Sequence, residues 1–343
     1  MDPVPAARSA APAARWSRLL ADALLAPTPA ALRRWAAAGL ITSVLIILTG
    51  AAVRLSQSGL GCPDWPDCTT SSLAAGGTSG DPLIHRWIEF GNRLVTVAIF
   101  VVAVGVFIAA WQYRGSGGGR RRGLVWLAAA QPAGILVQAL LGGLVVLTKL
   151  NPALVSLHFL ASVALIAATV ALYVRCQERD GQARPLAPQP VRLMALAMVG
   201  GVAVMMAAGT VVTGTGPLAG ARDVARYHLP LEGVTQFHAD IGWLLGGLVV
   251  ALLLGLRLGG APQRAVRLGW LLAGLIAAQG AIGYAQYFSG LPAGLVWVHV
   301  TGSVVIWVTA LFLPYTLRDR AQHSAGQQAE PLAEHGADVS LQL

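Results

Sequence analysis

Three histidines sit where the sequence is otherwise apolar enough to cross a membrane: His158, His238 and His299. An ionisable side chain inside a span is costly, and it marks a functional site. Neutral imidazoles presented from facing helices can take both axial positions of a haem iron, and the matched depth of His238 and His299 in the C-terminal half favours such a pair over the alternative that each merely hydrogen-bonds a neighbouring group. His158 keeps different company. Glu89, Asn92 and Arg93 occur together in WIEFGNRLV, so the N-terminal half combines one imidazole with a carboxylate, an amide and a guanidinium. An iron held there by His158 alone would keep one face open, and open positions are where chemistry happens. His85, two helical turns before Asn92, is disfavoured as a second ligand by that separation. The stretch GLGCPDWPDC, Gly59 to Cys68, adds two cysteines in a stiff, turn-rich setting. Two ligands alone do not complete a zinc site, so Cys62 and Cys68 favour a disulfide, with free or redox-active thiols as the alternative.

These residues need a membrane scaffold, and composition supplies one. With 55% hydrophobic and only 11% charged residues, and a mean hydropathy of +0.63, the chain is too apolar for an ordinary soluble protein. A hydrocarbon core of roughly 30 Å takes about 20 apolar residues in helix. Eight segments qualify, at roughly 37–57, 87–111, 123–147, 153–174, 191–213, 234–256, 266–288 and 293–317. The expected class is all-α and polytopic.

Most of the 24 basic residues fall in the N-terminal tail, in RGSGGGRRR, in the linker with Arg175, Arg179, Arg184 and Arg192, and at Arg257, Arg264, Arg267, Arg318 and Arg320. Positive loops stay cytoplasmic, which places both termini inside and the GLGCPDWPDC loop outside. The net charge of +9 follows from this asymmetry, and arginines spread over several loops do not make a nucleic-acid surface. Cys176, at the cytoplasmic end of the fourth span, is expected to be an inert thiol.

An internal repeat organises the spans. QALLGGLVVLTKLNPALVSLH, Gln138 to His158, aligns without gaps with QGAIGYAQYFSGLPAGLVWVH, Gln279 to His299; each has a Gly four residues after the Gln and LV before the His. GAAVRLS, from Gly50, pairs more weakly with GTVVTGT, from Gly209. The chain divides into a cytoplasmic tail (1–36), a four-helix bundle (37–180), a Pro-rich linker (181–192), a second bundle (193–318) and a disordered tail (319–343). An even number of spans per half gives a parallel repeat, with its axis along the membrane normal. Within it His158 matches His299, and His238 falls opposite Asn92. Gln138 and Gln279 recur deeper in the membrane, and interhelical hydrogen bonding is the reading preferred for them. Haem propionates need cations near the outer surface. Arg54, Arg86 and Arg93 in the first half, with Arg222 and Arg226 in the second, are the available guanidiniums.

TGAAVRLSQSGLGCPDWPDC, IEFGNR and the paired LVxxH segments, taken together, resemble the haem A synthase family over about 40–318. The resemblance implies oxidation of the C8 methyl of haem O to the formyl of haem A, for cytochrome oxidase assembly. It implies a haem b between His238 and His299. It places the haem O substrate near an E-x-x-H-R motif and a later His, matched by Glu89, Arg93 and His158, with Asn92 where the family has His. It also implies that Cys62 and Cys68 are disulfide-bonded, as a pinned lid over the first bundle. Glu89 would accept a proton, or stabilise positive charge, as electrons leave the methyl carbon and water-derived oxygen is added. The expected setting is a bacterial cell membrane, with haem O synthase (a farnesyltransferase) and oxidase assembly as partners and an unidentified electron acceptor. The rival reading is a b-type bis-His cytochrome or quinone-linked carrier that leaves its haem unmodified; a transporter has little support from a parallel repeat.

Overall fold

A computed structural model describes residues 26–69, 72–76, 82–115, 118–178 and 181–320; the ends of the two tails, 1–25 and 321–343, and Arg179 lie outside the described residues. Eight α-helices dominate it: α1 (Pro29–Leu55), α2 (Leu83–Gln112), α3 (Arg122–Leu147), α4 (Pro152–Arg175), α5 (Gln189–Thr215), α6 (Leu231–Leu258), α7 (Gln263–Phe288) and α8 (Ala293–Thr316). All eight are long and apolar enough to cross a membrane, and the protein is a multi-pass membrane protein. Large apolar side chains such as Leu45, Val97, Val101, Leu140, Leu244 and Leu254 are exposed along them, as a lipid-facing surface requires.

Proline sets where most of these helices begin. Pro29 and Pro152 lie in the first turn of α1 and α4, and Pro82, Pro188, Pro230, Pro262 and Pro292 cap α2, α5, α6, α7 and α8. A residue with no N–H and a fixed φ costs nothing at a helix start. Two starts add a side-chain cap. Thr28 accepts from the Ala31 N–H, and Asn151 accepts from the N–H groups of Ala153 and Leu154. The first cap explains one departure from expectation: α1 begins at Pro29, inside the segment assigned to the N-terminal tail.

The repeat is visible in the backbone. The α3–α4 turn places Lys149 and Leu150 at φ of 53° and 60°, and the α7–α8 turn places Gly290 and Leu291 at 78° and 59°. The N–H of Leu150 donates to the Val145 carbonyl, and that of Leu291 donates to the Gln286 carbonyl, both at 2.8 Å. Both turns therefore close the preceding helix with the same left-handed pair, which delivers the following histidine at the same register.

Each half is a ring of neighbours: α1 on α2, α2 on α3, α3 on α4 and α4 back on α1, with α5 to α8 arranged likewise. The halves meet through α1, α4, α5 and α8. Ile47, Val163, Ile166 and Val170 of the first half are buried in one cluster with Val202 and Trp307 of the second. Two indoles cross this seam: Trp297 Nε1 donates to the Leu48 carbonyl at 3.1 Å, and Trp307 Nε1 donates to the Val163 carbonyl at 3.0 Å.

At the arginine-rich end a second departure appears. Arg184–Pro185 (β1) pairs antiparallel with Arg318–Asp319 (β2), so linker and chain end form a small clamp where loose segments were expected. Glu178 accepts from Arg318 at 2.8 Å and lies 3.3 Å from Arg320 Nε and 3.4 Å from Arg175 Nε. Cys176 is buried beside it, and burial pushes its thiol up to about 11, as an inert thiol requires.

Candidate functional site

The second bundle brings its two histidines face to face. His238 on α6 and His299 on α8 have ring centroids 6.3 Å apart and ring planes at 62°. An imidazole nitrogen lies about 2 Å from a metal and about 1.1 Å from its own ring centre, so two rings across one ion stand about 6.2 Å apart. The observed separation fits. Each ring rests on a glycine of the preceding helix: a Cβ on Gly209 would lie 3.2 Å from His238 Cε1, and one on Gly283 would lie 3.4 Å from His299 Cε1. Both Nδ1 atoms are buried with no hydrogen-bond partner. Burying an unsatisfied polar atom costs about 1–3 kcal/mol, so neither ring is explained as a structural hydrogen bonder. Among the described residues no three His, Cys, Asp or Glu side chains converge as a metal cage. Two imidazoles with no further protein donor suit a macrocycle that brings its own four nitrogens.

The first bundle repeats half of this. His158 on α4 rests on Gly142 of α3, whose Cβ would lie 3.4 Å from His158 Cε1, and its Nδ1 is also buried and unpartnered. At the position on α2 that the repeat aligns with His238 stands Asn92, with Oδ1 buried and unpartnered, and around Gly50, aligned with Gly209, a Cβ would meet nothing within 4 Å.

Glu89 and Arg93 are one turn apart on α2, and both face the cysteine loop. Cys62 and Cys68 are disulfide-bonded. The buried Glu89 carboxylate accepts from the Cys62 N–H at 2.8 Å through Oε2 and from Arg93 Nη2 at 2.7 Å through Oε1. Arg93 donates further to the carbonyls of Cys62, Asp64, Pro66 and Asp67 at 3.0–3.3 Å. One guanidinium thus gathers four loop carbonyls, a use of its rigid fork that a lysine could not match. Trp65, at the loop tip, packs its indole on Gly143, beside the glycine that carries His158. Gly61 lies so close to the first turn of α2 that a side chain there would collide with the His85 carbonyl. The loop is a lid fastened to α2 and pressed against α3. His85 Nδ1 pairs with Ser58 Oγ at 2.7 Å.

The remaining arginines are distributed among the outer loops. Arg54 Nη1 donates to the Leu218 carbonyl at 3.0 Å, joining the two halves. Arg226 donates to the carbonyls of Gly216 and Pro217. Arg222 is exposed and Arg86 half-buried in the first turns of α2. Gln138, expected to bond between helices, has both amide atoms buried and unpartnered, one turn below Gly142 on the same face of α3.

Sequence reasoning named the three imidazoles, the Glu89–Asn92–Arg93 group and the cysteine pair. It missed that glycines carry the imidazoles and that Trp65 is the lid's contact with α3. The shared Gly four residues after Gln138 and Gln279 was the available signal for the first, and nothing local announced the second.

Helical and multi-pass, with histidines at repeated positions, the protein has the architecture of a polytopic membrane protein. It belongs to the COX15-CtaA family of cytochrome oxidase assembly proteins, whose model matches residues 33–77 and 83–311. Among curated proteins it is similar to the heme A synthase of Lysinibacillus sphaericus, at 34% identity over 35% of this chain and 36% of that one. It is also similar to the heme A synthase of Geobacillus thermodenitrificans, at 34% over 33% and 32%, and to that of Shewanella oneidensis, at 29% over 43% and 48%. The matched stretches span about a third to a half of those relatives' lengths.

Proposed function

We propose that the protein is a haem A synthase: it binds haem O in the first bundle and oxidises its C8 methyl to a formyl group. The observation that carries this reading is the His238–His299 pair at 6.3 Å, repeated in the first bundle by His158 alone on its glycine. Family membership and the names of the similar proteins support it. Conversion of a methyl to a formyl takes up one water and releases four electrons and four protons. His158 would hold the substrate iron on the α4 side. Glu89 accepts a proton leaving the methyl carbon; because its two oxygens are occupied by Arg93 and the Cys62 N–H, taking that proton weakens its hold on the lid. The lid keeps bulk water from the pocket through the Trp65–Gly143 contact. Arg222 is exposed where it could meet propionates, with Arg54, Arg86, Arg93 and Arg226 at the same end.

His238 and His299 would hold a haem b in the second bundle, which would supply one-electron transfer there to an acceptor outside the chain. Its residues fit that task because the two rings already stand at ligand spacing and their glycine supports fix them there. The lid side faces the cell exterior and both termini the cytoplasm of a bacterial membrane, with haem O synthase supplying substrate and oxidase assembly receiving product.

Expression in cells that make haem O, followed by pigment extraction and mass analysis, tests the reading. Haem A appearing only with the intact protein supports it. Unmodified haem alone would leave a b-type membrane cytochrome.

A further inference from the structure

The α2–α3 turn gathers positive charge without acidic neighbours in the sequence. Arg114, Arg120 and Arg122 are exposed there, and no Asp or Glu occurs between Glu89 and Glu178. A backbone bridge pairs Arg114 with Arg120, which sets both residues at the end of α2. The Arg120 guanidinium lies over the Trp111 ring, 4.3 Å from its centroid. Among the described residues, neither the Arg114 nor the Arg120 side chain has a hydrogen bond or an ion pair. Beside them an open groove of about 340 Å³ lies along α2, lined by Phe107, Ile108, Trp111 and Gln112. Trp111 is shared, as a wall of the groove and as the platform for Arg120.

The groove continues a lipid-facing stripe. Leu94, Val97 and Val101 are exposed on α2, and the seven-residue steps from Leu94 to Val101 to Ile108 keep them on the face that carries the groove. Exposed indoles at Trp111, Trp126 and Trp270 mark this end of the molecule as the level of the headgroups. A site that is apolar along its length and cationic at its end fits an amphiphile with a hydrocarbon tail and an anionic head.

We propose that this groove is a binding site for an anionic phospholipid: one acyl chain lies against Phe107, Ile108 and Trp111, and the phosphate pairs with Arg114 and Arg120. Guanidinium matches phosphate through its fork of donors, and basic pockets against membrane helices recruit acidic headgroups. Stacking on Trp111 already holds the Arg120 guanidinium at the mouth of the groove, so less side-chain freedom is lost when the phosphate arrives. A zwitterionic lipid would fill the groove equally well but would bring its own cation to the arginines. The inference is independent of the haem chemistry proposed above.

The test is native mass spectrometry of the full-length protein, stripped of lipid in detergent and titrated with dioleoyl phosphatidylglycerol, with dioleoyl phosphatidylcholine, or with inorganic phosphate. One phosphatidylglycerol is expected to bind at least tenfold tighter than phosphatidylcholine, with no retention of inorganic phosphate. A guanidinium beside a charged headgroup is worth roughly fivefold in affinity, so Arg114→Gln with Arg120→Gln should weaken phosphatidylglycerol binding at least tenfold. Ile108→Trp, which fills the groove and leaves the charge alone, should weaken it as well. Arg192→Gln with Arg267→Gln removes the same charge from exposed positions elsewhere at this end and should leave binding unchanged. Unaltered thermal unfolding in each variant shows that the fold is intact. Equal binding of the two lipids, retention of phosphatidylglycerol by the Arg114 and Arg120 double variant, or an equal loss in the Arg192 and Arg267 variant would overturn the inference. So would inorganic phosphate binding as tightly as the lipid, or a second copy of the chain taking the place of the lipid on this face.

Discussion

The two bundles share a backbone plan and differ in what one position carries. In the second, α6 contributes His238, which faces His299 and rests on Gly209. In the first, α2 contributes Asn92 with Arg93 next to it and Glu89 one turn earlier, the last two reaching to the disulfide-closed loop. The lid has no counterpart over the second bundle, where the corresponding loop is tied down by Arg226 instead. Closing both faces of a metal makes a relay, and opening one makes a reaction site; on the proposed reading the duplicated scaffold would provide both with few changes in side chain.

That contrast can be broken at several places. The largest effect is expected at the ligands: His238→Ala or His299→Ala should erase the low-spin haem signal while His158-dependent pigment remains, read by absorption and electron paramagnetic resonance of the purified protein. Loss of both signals together would mean that the pockets are not independent. Glu89→Gln keeps the shape and an acceptor for Arg93 but removes the base, so haem A formation should fall about 10²–10⁴-fold with the low-spin signal intact. Undiminished haem A in extracts would take Glu89 out of the chemistry. Arg93→Lys cannot hold four carbonyls, each such bond being worth about 1 kcal/mol net, so hydrogen exchange across residues 62–68 should rise about tenfold or more. The smallest expected effect sharpens the comparison most. Gly209→Ala crowds His238 Cε1 at 3.2 Å and should lower stability by about 1 kcal/mol, whereas Gly50→Ala enters open space and should be neutral or slightly stabilising, as thermal unfolding would show.

Legibility in the sequence followed the range of the interaction. Hydropathy marked all eight spans, because lipid demands long apolar runs, and it misjudged the start of α1 only because its first two turns are the Arg-bearing PAALRRW. The histidines stood out since an ionisable group in such a run has no other excuse. The clamp of β1 on β2 was invisible, since pairing of Arg184–Pro185 with Arg318–Asp319 joins segments far apart in the chain and has no local signature. Arg93 was legible as a site residue but not as the lid's anchor, because its partners are main-chain carbonyls, which every residue possesses. The repeat was read from Gln and His, and the identical left-handed turns before α4 and α8 are the backbone expression of that alignment.

The indoles of Trp297 and Trp307, each anchored to a carbonyl of the opposite half, stitch the two bundles along their shared wall. On the proposed reading these two bonds help set the gap an electron would cross from one bundle to the other, and the outer mouth under the cysteine loop is where the tempo would be decided.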